Sequence, residues 1–148
     1  MALYFLDTSA LVKLYVQEPG TDRLLHLVTT PSDNRFAVLS LSAVEARSAI
    51  RRRQRAGDID PDAANLILDS LQKHMESKFV HQVVNSTVVQ IALEMVDRYP
   101  LRAYDAVQLA GCLVLSAIEG PDLAFVCSDR QLLDAANSEK IAVLDPTA

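Results

Sequence analysis

The chain has 148 residues, half of them hydrophobic and 22% charged, with a formal net charge of −5. That size suits one ordinary domain that buries its own core without staples, and the acidic balance excludes a protein that coats nucleic acid through general electrostatics, though not an enzyme that meets phosphates through a bound cation. No leader-like segment opens the sequence, and its longest nearly apolar run, AVQLAGCLVLSAI, is shorter than the ~20 residues of a membrane span, so a soluble, cytoplasmic protein with no membrane partner is expected.

The apolar stretch LYFL, residues 3–6, reads as a buried strand and ends directly at Asp7. Leu11, Val12, Tyr15 and Val16 follow at helical spacing, so the strand feeds straight into a helix, and Asp7 either caps that helix or begins a ligand site at the carboxyl edge of a sheet. Pro19-Gly20 stops the helix, and TDRLLHLVTT is a short second helix opened by Thr21. FAVLS is a second strand. SAVEARSAIRRRQRAG then spaces Ala43, Ala46 and Ile50 as a helix ended by Gly57, with Ser42 and Glu45 set as a capping box. On that helix Arg47, Arg51 and Arg55 lie four apart, either a solvated stripe or a face for phosphates or a protein partner.

Asp60-Pro61 restarts the chain as cap and first residue of an amphipathic helix carrying Ala64, Ile67, Leu68, Leu71 and Met75. FVHQVV is a third strand, and STVVQIALEMVDRY a helix closed by Pro100. Residues 103–118 are apolar almost all round, the mark of a buried helix. LAFVCS is a strand ending at Asp129, RQLLDAANSEK a short helix, and IAVL a last strand. Helices alternating with short apolar strands specify an α/β fold with a mostly parallel sheet of about five strands flanked by helices, undivided over residues 1–148.

Four acids fall where such a fold places ligands. Asp7 and Asp129 end strands, Glu45 lies in the first turn of the helix after FAVLS, and Asp105 opens the buried helix. Beside that apolar run Asp105 is the least comfortable charge in the sequence, because an unpaired buried carboxylate is strongly disfavoured. Each acid has a structural explanation as a cap. Four on one edge repel one another unless a cation sits among them, and a hard divalent ion, Mg²⁺ or Mn²⁺, suits oxygen ligands. His26, His74 and His81 lack zinc spacing, and Cys112 and Cys127 read as buried small hydrophobes. No Gly-rich phosphate loop and no GxSxG elbow is present.

FLDTSALVKLYVQEPG, SAVEARSAI, LRAYDAVQLA, FVCSDRQLLDAA and IAVLDP resemble, in that order, the signature blocks of PIN-domain ribonucleases, specifically the VapC toxins of toxin–antitoxin pairs. The resemblance implies a Rossmann-like PIN fold, and it places the family's acidic quartet on Asp7, Glu45, Asp105 and Asp129, with Thr8 after the first acid and Ser128 before the last as auxiliary hydroxyls. It further implies Mg²⁺- or Mn²⁺-dependent cleavage of RNA, a homodimer, and a small antitoxin that occupies the toxin's groove. Two other readings stay open. A phosphatase of the haloacid-dehalogenase type needs a second Asp where this chain has Ser9, and a non-catalytic interaction module leaves Asp105 unexplained.

Overall fold

The computed structural model describes residues 2–148. In chain order the elements are β1 (Leu3–Leu6), α1 (Thr8–Lys13), α2 (Thr21–Thr29), β2 (Arg35–Leu39), α3 (Ser42–Arg55), α4 (Pro61–Ser77), β3 (Val80–Gln82), α5 (Ser86–Arg98), α6 (Ala103–Glu119), β4 (Leu123–Val126), α7 (Arg130–Ser138) and β5 (Ala142–Leu144). The five strands form one sheet in the order β3-β2-β1-β4-β5, and every pairing is parallel. Parallel neighbours require crossovers, which the helices supply.

Alternation along the strands divides the core between the two faces of the sheet. Leu3 and Phe5 of β1 pack with Leu123 and Phe125 of β4 under α5, α6 and α7, and the Phe5 and Phe125 rings lie 5.9 Å apart. Leu6, Val38 and Val126 point the other way and pack with Leu11, Leu24, Ile50 and Leu68 from α1 to α4. Burial on both faces explains why the strands read as continuous apolar runs.

Local chemistry sets the helix ends. Asp60 accepts a hydrogen bond from the Ala63 amide at the start of α4, with Pro61 at the first helical position. α3 ends in a Schellman motif in which the Gly57 amide reaches Gln54 O and the Asp58 amide reaches Arg53 O, with Gly57 at φ +87°. Two expected caps are absent. Gly20, at φ +95°, holds the N-cap position of α2, and Thr21 is instead buried, its hydroxyl accepting from the Glu18 amide and donating to Val16 O. Leu41 precedes α3, and Ser42 makes no cap bond there, so the expected capping box with Glu45 does not form. α1 also stops at Lys13, with Tyr15 and Val16 held by turn bonds to Val12 O rather than by a continuing helix.

Candidate active site

The strand order reverses direction at β1, so the neighbouring carboxyl ends of β1 and β4 frame the crevice where open α/β sheets place ligands. Asp7 follows β1 immediately, its amide donating to Val126 O at 3.1 Å, and Asp129 begins the helix after β4. α3 brings Glu45 to the same edge, and the first turn of α6 brings Asp105. All four acids line one cleft of about 490 Å³.

Asp7 is 5% exposed. Its Oδ1 accepts from the Ala10 amide at 2.8 Å, and the Ser9 hydroxyl lies 2.8 and 2.9 Å from its two oxygens. The residue is therefore a helix cap and a cleft residue at once. Burial raises its pKa to about 7, with Asp105 adding to the rise, while the Ala10 amide, Ser9 and Lys13 oppose it. Asp105 is half-buried, and its pKa is raised by burial and by the charges of Asp129 and Glu45, with Arg102 acting in the opposite direction. The least comfortable carboxylate is thus Asp7 rather than Asp105, because the end of a central strand is better enclosed than the first turn of a helix. Asp129 is exposed and caps α7 through the Leu132 amide at 2.9 Å.

Glu45 is held by a polar cluster drawn from three elements. Thr8 Oγ1 lies 2.9 Å from Glu45 Oε1 and 3.0 Å from Ser42 Oγ, and its single proton favours the carboxylate. Gln108 Nε2 donates into the same cluster, 3.1 Å from Glu45 Oε1, 2.9 Å from Ser42 Oγ and 3.0 Å from Thr8 Oγ1. Ser42 is completely buried and Gln108 nearly so, and among the described residues Gln108 Oε1 has no hydrogen-bond partner.

Among the described residues, no three His, Cys, Asp or Glu side chains converge tightly enough to chelate a bare ion. The acids surround the cleft instead. The donors that line it are carboxylate oxygens, the ligand type of hard ions such as Mg²⁺ or Mn²⁺, and magnesium usually retains several waters. Histidine and cysteine take no part. His74 Nδ1 meets the Tyr15 hydroxyl at 2.6 Å, His81 meets the Met75 carbonyl, and His26 lies in α2. Cys112 and Cys127 are free and buried, and burial pushes both thiols well above their ordinary range.

Of the remaining sequence candidates, Thr8 lines the cleft, whereas Ser128 does not. Arg47, Arg51 and Arg55 also lie outside the cleft lining, and Arg51 donates to Gln54 Oε1 at 2.7 Å. The cations that do line it are Arg52 and Arg102. No motif in the sequence singles out these two, nor Ser9. Gln108 had a visible signal, a polar residue three positions after Asp105 inside an apolar helix, which places both on one face.

A family model described as the PIN domain matches residues 4–137. The chain belongs to the PIN domain family. This PIN domain is 28% identical over 147 residues to "Ribonuclease VapC35" of Mycobacterium tuberculosis, with 97% of each chain covered. Its fold is similar to that of VapBC2 from Rickettsia felis bound to a DNA fragment from its promoter, with a TM-score of 0.64 at 10% identity over 97% and 98% of the two chains. It is similar also to a toxin–antitoxin complex from Klebsiella pneumoniae, with a TM-score of 0.63 at 15% identity over 99% and 98%. No helix among the described residues of the PIN domain is long and apolar enough to cross a membrane.

Proposed function

We propose that this PIN domain is a metal-dependent endoribonuclease and the toxin of a toxin–antitoxin pair. The observation that carries the reading is the arrival of Asp7, Glu45, Asp105 and Asp129 in one cleft at the β1/β4 edge. Full-length similarity to a protein named as a ribonuclease supports it. Asp7, Glu45, Asp105 and Asp129 would hold Mg²⁺ or Mn²⁺, which when bound supplies a Lewis acid for hydrolysis of a phosphodiester and a route to nucleophilic water at neutral pH.

The chain's own residues prepare the cleft for that chemistry. Ser9 and the Ala10 amide fix the Asp7 carboxyl, and Thr8 and Gln108 fix Glu45, so neither side chain must be ordered when substrate arrives. Asp105 lines the cleft, and among the described residues its carboxylate accepts no hydrogen bond. Ser9, occupied in bonding Asp7, stands where a haloacid-dehalogenase phosphatase needs its second acid, which disfavours that reaction. A purely non-catalytic module gives no use for Asp105.

The test is cleavage of single-stranded RNA by the purified protein with Mg²⁺ or Mn²⁺, alongside Asp7→Asn. Metal-dependent cleavage by wild type and its loss in the variant support the proposal, and an active Asp7→Asn overturns the ligand role. A small antitoxin and a homodimer belong to the same reading, and the similar fold of a toxin–antitoxin complex supports the first of these. Co-purification with any small protein encoded beside this one, and light scattering of the isolated chain, test the two partners separately.

A further inference from the structure

We infer that Arg52 and Arg102 bind backbone phosphates next to the scissile one, so that the cleft grips a length of single-stranded RNA rather than one isolated phosphodiester. The inference rests on the ribonuclease reading. Arg52 stands on α3 two turns beyond Glu45, and Arg102 immediately precedes α6, one turn before Asp105. Both are exposed, and both line the acid cleft from different elements.

Neither guanidinium closes onto a carboxylate. Among the described residues neither forms an ion pair within 4.0 Å, although Glu18 lines the cleft along with the four acids. Glu18 is already taken by Lys13 and Arg53, Asp7 by Ser9, and Glu45 by Thr8 and Gln108. Two unengaged planar forks at the border of an acidic cleft match an incoming anion, and Arg suits the paired oxygens of phosphate. The substrate supplies that anion, since single-stranded RNA carries a charge at each nucleotide. An ion among the acids offsets charge only at the bond to be cut, and flanking phosphates entering an acidic protein need cations of their own. The surface also continues past Arg52. A shallow groove of about 340 Å³ formed by Ala49, Arg52, Arg53, Ala56 and Asp58 shares Arg52 with the cleft, which gives the strand a path along the end of α3.

Arg52→Gln, Arg102→Gln and, as a control outside the cleft, Arg47→Gln separate the possibilities. For an RNA oligonucleotide, each cleft variant is expected to raise KM several-fold while leaving kcat at pH 8 within about threefold. Binding measured by anisotropy with Ca²⁺ in place of Mg²⁺ should show a log–log salt slope shallower by about 0.7 for each phosphate that is no longer bound. With a dinucleotide that has one phosphodiester and no neighbouring phosphate, the KM penalty of Arg52→Gln should disappear and that of Arg102→Gln, whose charge also acts on Asp105, should shrink. Wild-type KM and salt slope in both cleft variants overturn the inference, as does a loss confined to kcat. Equal damage in Arg47→Gln shows a diffuse charge effect and overturns it too. A wild-type protein that cuts no RNA overturns the ribonuclease reading itself, an outcome distinct from the others.

Discussion

With 5% exposure, the Asp7 carboxyl is enclosed enough for its protonation to be linked to stability. Folding raises its pKa from 3.8 to about 7 in the metal-free protein, so the native state holds a proton that the unfolded chain releases between those values. The favourable contribution is complete below about pH 4 and is lost as pH rises to about 7. Asn keeps an acceptor for the Ala10 amide without the charge. Metal-free Asp7→Asn should therefore melt close to wild type near pH 4 and progressively higher than wild type toward pH 8. Thermal melts across that range check this, and a difference that shrinks with rising pH contradicts it. Ser42 shows what sequence could not convey. Ser-x-x-Glu at a helix start has a sufficient local explanation, whereas the partners that bind Ser42 and Glu45 are Thr8, 34 and 37 residues before them, and Gln108, 66 and 63 residues after. Ser42→Ala should cost ~1 kcal/mol of stability and also reduce RNA cleavage about fivefold by loosening Glu45. Glu45→Gln retains an acceptor for Thr8, so its metal-free stability should stay within about 0.5 kcal/mol of wild type or rise as repulsion is relieved, while cleavage falls sharply. Denaturation curves paired with cleavage rates separate the two variants.

Element positions were legible wherever a local signal was strong. Asp60-Pro61 and Gly57 set helix ends as expected, and the five apolar runs became the five strands. Legibility failed where a side chain chose a distant or backbone partner over its local one. Tyr15 and Val16 kept helical spacing after α1 had ended, and Thr21 spent its hydroxyl on the Glu18 and Val16 backbone. The α3 terminus offers a clean check, because a Cβ on Gly57 would meet nothing within 4 Å and only the left-handed φ of +87° resists substitution. Gly57→Ala should lower stability by about 1 kcal/mol, measured by urea unfolding, with RNA cleavage within twofold of wild type. A larger loss of activity would show that the last turn of α3 orders the Arg52 side chain.

At the scale of the whole molecule, residues 7, 45, 105 and 129 line one cleft because a parallel sheet aligns the carboxyl ends of its strands, and the order β3-β2-β1-β4-β5 sets β4 beside β1. The acids themselves were visible in the sequence, since two end strands and two open helices. The choice of arginines was not. Helical spacing singled out Arg47, Arg51 and Arg55, while the packing of Ala46 and Ile50 into the core turned Arg52 toward the cleft. If a cation relieves the repulsion among the acids, Mg²⁺ or Mn²⁺ should raise the melting temperature in proportion to the logarithm of its concentration above the dissociation constant, and an unchanged melting temperature across millimolar metal counts against the site. The most direct measurement follows cleavage of a single-stranded RNA by wild type and Asp105→Asn, each with Mn²⁺ and with EDTA. Cleavage by wild type is expected only with metal, and the rate in a folded Asp105→Asn is expected to be lower by about a hundredfold or more. Wild-type cleavage that persists in EDTA, or an Asp105→Asn protein as active as wild type, would contradict that expectation.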